Sequence, residues 1–191
     1  MSRANLASPP PPREMIVDKL FELFRNGGFD GVSISDIGNA TGLGKSSLYH
    51  HFPGGKGDMA AAVLGKASDW FESEVVKALL EPGASREQRV DSMLSALDGL
   101  YCGGAKPCIF ASMLLGGAEG RVNESVTAGF RAWHKSVARA LAETGLSSAE
   151  ATVRSTSAIV QIEGSLILSR ALEDPSIFKR SLQSVRDLLL G

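Results

Sequence analysis

The chain has 191 residues, 43% of them hydrophobic, and a formal net charge of −1 at pH 7. This composition supports a sizeable buried core and excludes wholesale disorder, and the near-zero charge means that any nucleic-acid contact must rest on a local site. Two cysteines, Cys102 and Cys108, are too few for a secreted disulfide scaffold, and no apolar run reaches membrane-spanning length; the expectation is a reduced, cytoplasmic protein with no membrane partner.

Residues 1–12, with Pro9 to Pro12 in a row, lack the apolar centre of a signal peptide and read as a flexible arm. Ile16, Val17, Leu20, Phe21, Leu23 and Phe24 then give a wide apolar face to a first helix over about 13–26, ended by Gly27-Gly28. Short helices follow near 34–40 and 45–51. A long one carrying Val63, Trp70 and Phe71 starts after Lys56 and stops before Pro82-Gly83. Val90, Met93, Leu94, Leu97, Leu100 and Tyr101 recur with helical spacing until Gly103-Gly104 and Pro107 intervene.

A short apolar helix over 109–115 stops at Gly116-Gly117. Val126, Phe130, Trp133, Val137 and Leu141 then repeat in three- and four-residue steps up to Gly145. Ser147 and Glu150 have capping-box spacing at the head of the next helix, which bears Val153, Ile159, Val160, Ile162, Leu166 and Ile167. The last helix shows the stripe Phe178, Leu182, Val185 and Leu189, which is either internal core or a dimer seam. Alternating strand patterns are absent. The expected fold is all-α.

The informative stretch runs from Gly28 to Phe52. Ser33 and Asp36 have the spacing of a capping box, so a helix starts there with Ile34 and Ile37 facing inward. Gly42 falls where a tight turn between two helices needs a left-handed residue, Leu43 fills the angle, and Gly44 serves as the next N-cap. The following helix places Lys45, Ser46 and Ser47 on its first turn, where a recognition helix presents side chains to base edges in the major groove. Leu48 and Phe52 are spaced to turn back onto the first helix, which leaves Tyr49 and His50 pointing outward. The charges over 1–56 have only a weak basic bias, with Arg3, Arg13, Lys19, Arg25, Lys45 and Lys56 against Glu14, Asp18, Glu22, Asp30 and Asp36.

From Met15 to Leu64 the chain resembles the TetR family of bacterial transcriptional repressors, with helix caps, turn glycine and the Leu48-Tyr49-His50-His51-Phe52 terminus all in register. Pro53-Gly54-Gly55-Lys56 resembles the branch that regulates multidrug-efflux genes. Three positions depart from the usual pattern: Gly38 replaces an alanine, Gly44 replaces a serine, and one extra residue precedes Lys56. The resemblance implies an N-terminal three-helix DNA-binding domain over 13–57 and a ligand-binding and dimerisation domain over 58–191. It further implies a two-fold dimer on a pseudo-palindromic operator, released by an apolar or amphipathic small molecule. Phosphate contacts are implied for Ser33, Tyr49, His51 and Lys56, base-edge contacts for Ser35, Lys45, Ser46 and Ser47, with His50 beside them.

For the effector, the aromatic and methionine side chains Met93, Leu97, Phe110, Met113, Phe130, Trp133 and Ile162 are either pocket lining or plain core. Glu163, in an apolar stretch, is either a ligand contact or an interface residue. Leu166, Phe178, Leu182, Val185 and Leu189 are the candidate dimer contacts. Coupling between effector and operator is expected along the long helix after Lys56, from a poorly restrained junction at Gly54-Gly55-Lys56-Gly57. Cys102, Cys108 and His134 match no standard zinc spacing, and no nucleophile–base pair, paired carboxylates or phosphate loop is present; no metal, cofactor or catalytic residue is expected. The alternative function is a small-molecule-binding protein of the same fold that has lost DNA binding.

Overall fold

The computed structural model describes residues 12–191; the expected N-terminal arm, apart from Pro12, lies outside the described residues. Helices alone make up the regular structure among the described residues. α1 (Arg13–Gly27), α2 (Ile34–Thr41) and α3 (Lys45–His51) form the N-terminal unit. α4 (Lys56–Phe71) continues without a break through a π turn (Glu72–Val76) into a last α turn (Lys77–Leu79). α5 (Arg86–Leu100), α6 (Ile109–Leu115), α7 (Gly120–Ala142), α8 (Ser148–Ala171) and α9 (Ser176–Leu190) complete the chain.

The helix starts follow from local chemistry. Ser33, Ser85 and Ser147 each accept a hydrogen bond from the backbone N–H three residues on, and the side chains of Asp36, Gln88 and Glu150 accept one from the cap's own N–H; each box satisfies donors that a helix start leaves unpaired. Gly42 closes α2 in the left-handed conformation, at φ 75° and ψ 14°, which an L side chain adopts only with strain.

One continuous core joins both halves. Ile16, Leu20 and Phe24 of α1 meet Ile37, Leu48 and Phe52 on one side and Met59, Val63 and Leu64 of α4 on the other, all buried. Further along, Phe71 stands edge-on to Trp133 with ring centroids 5.2 Å apart, and Tyr101 stands edge-on to Phe178 at 5.9 Å. The last-helix stripe resolves in favour of the interior. Phe178, Val185 and Leu189 are fully buried and Leu182 nearly so, packed toward α8 and α5, and Leu166 is buried on α8. These five residues therefore do not form a dimer surface: a face already covered within the protomer has no apolar area left to offer a partner.

Candidate nucleic-acid interface and effector site

The second and third helices form a corner braced from behind. Leu48 and Phe52 are 1% exposed, and the Arg13 guanidinium sits 4.9 Å from the centre of the Phe52 ring, a cation–π contact that ties the start of α1 to the end of α3. With that face fixed, Lys45, Ser46, Ser47, Tyr49 and His50 are all exposed on the opposite face, as is Ser35 on α2. His51 is half-buried between the rings of His50 and Phe52. Ser33 is exposed, and its hydroxyl donates to Asp36 Oδ2 at 2.6 Å; these bonds from Ser33 hold the Asp36 carboxyl below its ordinary range. The residues expected to meet bases are thus all exposed.

Lys56 departs from expectation. Its ammonium donates to the carbonyls of Phe29 at 2.9 Å and Val32 at 3.2 Å, and lies 4.4 Å from the centre of the Phe29 ring. Two donors of this half-buried ammonium thus go to the α1–α2 loop, where Lys56 ties down the start of α4. The junction before it is also restrained. Gly54 N–H donates to Asp58 Oδ2 at 2.5 Å, and Gly55 N–H to Phe52 O at 2.9 Å. Gly55, at φ 66°, lets the Tyr49 ring pass at 3.4 Å from where a Cβ would sit. This segment is a clamp, which corrects the expectation of a loose hinge.

Two contacts that the sequence did not single out hold the N-terminal unit to the rest. Arg25 of α1, 5% exposed, donates from Nη2 to Leu100 O at 2.6 Å and from Nε to Pro107 O at 3.0 Å; it satisfies carbonyls at and beyond the end of α5, where a helix has no internal donors left. The α1–α2 loop also meets the end of α6 backbone to backbone. Asp30 N–H donates to Gly116 O at 2.7 Å, and a Cβ at Gly116 would lie 2.7 Å from Gly28 Cα. Glycines at both positions were read only as helix stops; a pair of glycines flanking two helices is also the signature of close backbone approach.

Beside the Arg25 contact lies a cavity of about 340 Å³. α1 supplies Phe21, α4 supplies Ala67, Trp70 and Phe71, and the α5–α6 segment supplies Leu100, Tyr101, Ile109 and Phe110. Of the seven residues expected to line an effector site, this cavity includes Phe110. Phe130 stands against Phe110 with ring centroids 6.0 Å apart, while Met93, Leu97, Met113, Trp133 and Ile162 are buried core between α5 and α8; side chains that pack on one another leave no room for a ligand. Deeper in, Tyr101 and Cys108 are both buried, close to the Glu163 carboxyl. Burial pushes Glu163 up to about 7, the thiol contact opposing it, and drives the Cys108 thiol upward as well. Glu163 Oε1 and Trp133 Nε1 are buried without a hydrogen-bond partner among the described residues. Cys102 is exposed and Cys108 buried, both free. Among the described residues no group of three or more His, Cys, Asp or Glu side chains is placed to hold a metal ion, and no helix is long and apolar enough to cross a membrane.

Residues 16–63 match the profile of bacterial regulatory proteins of the tetR family, and residues 90–183 match that of the LmrA/YxaF-like transcriptional regulator C-terminal domain. The chain belongs to the TetR family. It is 24% identical over 188 residues to the HTH-type transcriptional regulator LmrA of Bacillus subtilis, covering 93% of this chain and 96% of that one. An uncharacterised regulator of the same organism, YxaF, is 25% identical over 169 residues, covering 85% of this chain and 86% of that one. Among solved structures, a TetR transcriptional regulator from Legionella pneumophila superposes with a TM-score of 0.82 at 20% identity over 96% of this chain and 98% of that one. The reduced form of Escherichia coli NemR gives 0.76 at 15% identity over 92% and 95%. As a TetR-family member the protein is a ligand-responsive transcriptional regulator with an N-terminal helix-turn-helix and a C-terminal helical domain.

Proposed function

We propose that this TetR-family protein is a repressor that binds a pseudo-palindromic operator as a two-fold dimer and is released by an apolar or amphipathic small molecule. In this reading residues 13–57 bind DNA and residues 58–191 sense the effector and dimerise. The observation that carries it is the exposed first turn of α3, with Lys45, Ser46 and Ser47 presented from a corner whose other face is locked by Leu48, Phe52 and Arg13. A rigid support is what base readout needs, because hydrogen bonds to base edges tolerate little misplacement. Ser35, Tyr49, His50 and His51 flank that turn, and Ser33 caps α2 beside it; these are the DNA contacts we assign, with Lys56 removed from the set.

The dimer seam is reassigned to the outer face of α8. Val153, Val160 and Ile167 recur every seven residues there at 65%, 64% and 57% exposure, joined by Leu168 and Leu172. The inner face of the same helix, through Ala151, Ala158, Ile162 and Leu166, is already buried. A helix apolar on two opposite faces needs two covers, and the second is supplied by the partner's α8. Two short recognition helices then read half-sites one turn of DNA apart, or a multiple of it.

One observation favours the alternative of a sensor that has lost DNA binding: with Lys56 engaged internally, the α3 face carries Lys45 as its one lysine among the described residues. Gel-shift titration with the DNA upstream of its own gene, at two salt concentrations, separates the two readings. A specific complex that weakens with salt is expected. Binding no tighter than to random duplex would leave only the sensor.

A further inference from the structure

The cavity described above lies on the seam between the two halves of the protein, with α1 of the DNA-binding unit as one wall and the α5–α6 segment of the sensing domain as the other. We propose that this seam cavity is the effector site, that it takes a compact, uncharged aromatic molecule, and that the molecule acts as a wedge driven between the two halves. The proposal rests on the regulator reading and deepens it.

The class of ligand follows from the walls. Phe21, Trp70, Phe71 and Phe110 bring aromatic faces from α1, α4 and α6 around one space, an arrangement suited to a flat ring system through offset and edge-on contacts. The volume of about 340 Å³ falls at the small end of ligand cavities, which run from roughly 300 to 1,000 Å³. Charge is provided for at the rim without a ligand. Asp18 pairs with Lys66, and Glu22 accepts from Lys106 at 2.6 Å and from Arg25 at 3.3 Å. Tyr101 is 3% exposed and adds no charge to the wall. An ionic ligand would have to break one of these pairs, whereas a neutral aromatic one disturbs none. Ala67 explains why there is space: it is the one small side chain on the α4 wall, 6% exposed, between Trp70 and the rim.

The consequence for DNA follows from the contacts beside the cavity. Arg25 lies one turn beyond Phe21 on α1, its guanidinium 5.8 Å from the Phe21 ring, and it holds Leu100 O and Pro107 O. A ligand that presses Phe21 away from Leu100 pulls directly on that clasp, and beyond it on the Gly28–Gly116 contact. The α1–α3 unit would tilt with respect to the sensor, and the separation of the two recognition helices in a dimer would change while the DNA spacing stays fixed. Ligand and operator thus prefer different arrangements of the same seam, which is the differential affinity that coupling requires.

The test uses 2-naphthol as the probe and the full chain, by isothermal titration calorimetry on wild type and on Ala67→Phe, whose added ring occupies the cavity. Wild type is expected to bind naphthol at or below about 1 mM. Ala67→Phe should weaken that binding roughly tenfold or more, and saturating upstream DNA should weaken it about five-fold or more in wild type. Circular dichroism checks that the variant folds; if it does not, Trp70→Ala, whose side chain is half-buried on the same wall, must produce the same loss. Absence of naphthol binding to wild type, or equal affinity in wild type and the cavity variant, overturns the site. Equal naphthol affinity with and without bound DNA overturns the wedge. A wild type that binds naphthol as expected but no DNA would sink the regulator reading alone, so the two failures are distinguishable.

Discussion

Replacing Gly116 with alanine tests whether the seam holds the DNA-binding unit in place. The new Cβ would lie 2.7 Å from Gly28 Cα and from Ser112 O, and 2.8 Å from Phe29 N. All three are backbone atoms, so no side chain can swing aside. Reaching the 3.4 Å at which ordinary contact begins requires a separation of about 0.7 Å. Along the same direction sits the Asp30 N–H to Gly116 O bond of 2.7 Å, which a movement of that size stretches to the limit of a hydrogen bond. Overpacking and the weakened bond together cost about 2–4 kcal/mol if the seam stays shut, or about 5–15 °C in melting temperature for a chain of this length. If the seam opens instead, stability is spared and operator affinity falls. Gly65→Ala is the control: a Cβ there meets nothing within 4 Å, so stability should hold or rise by about 0.4–1 kcal/mol. Thermal unfolding by circular dichroism, with fluorescence anisotropy on upstream DNA, reads both outcomes. Gly116→Ala melting and binding DNA like Gly65→Ala would refute the close-approach argument.

Three further expectations follow from the same structure. Ile167→Glu, on an exposed site, should leave the protomer helical but give monomers by sedimentation at micromolar concentration; a persisting dimer would place the seam elsewhere. Lys45→Ala should relax base preference within the half-site, costing about 1–3 kcal/mol of operator affinity with no change in stability, whereas Lys56→Ala should cost about 1–3 kcal/mol of stability through its two carbonyl bonds; weaker DNA binding with unchanged stability in Lys56→Ala would restore Lys56 to the phosphate contacts. Because Glu163 is raised from 4.5 to about 7 by burial, the folded state favours its neutral form, so its contribution is complete below pH 4.5 and is lost as pH rises through 7. Urea unfolding should show stability falling by roughly 2–4 kcal/mol over that window, and Glu163→Gln should abolish the slope; an unchanged slope in the variant would clear Glu163 of the effect.

The N-terminal unit was legible because its signals are local. A serine and an aspartate three residues apart, a glycine in the turn, and hydrophobic residues at the right offsets specify caps, corner and inner face without reference to anything distant, and the structure places Ser33, Asp36, Gly42, Leu48 and Phe52 accordingly. The dimer stripe was misassigned because periodicity says that a face is covered and not by what. Phe178, Leu182, Val185 and Leu189 are covered by their own protomer. The better signal was on α8, where Val153, Val160 and Ile167 repeat on one side of the helix while Ile162 and Leu166 repeat on the other. A cavity is harder still to read, being what packing leaves over; Trp133 has the same helical spacing whether it lines a space or, as here, packs edge-on to Phe71. Arg25 was only a charge in a tally, since nothing in sequence shows that Leu100 O and Pro107 O await it.

These corrections also relocate the moving part. α4 was expected to swing about a loose junction at Gly54–Gly57, but Lys56 binds its start to the α1–α2 loop, and Lys66 pairs with Asp18 of α1 further along. With α1 and the first part of α4 joined at two points, and the core residues Leu20 and Val63 packed between them, we expect the N-terminal unit and that part of α4 to move as one body. What remains free to adjust is the far side. The backbone of α4 loosens into a π turn at Glu72–Val76, immediately after Trp70 and Phe71, and such turns mark places where a helix changes its winding. The seam cavity opens at that same level. A ligand pressing on Trp70 and Phe71 from one side and Phe21 from the other therefore acts next to the one irregular stretch of the long helix, with the whole reading head as its lever. Coupling by this route needs no displacement to travel through the core of α5 to α8, which is why Met93, Leu97 and Trp133 can be packed solid in a protein built to respond to a small molecule.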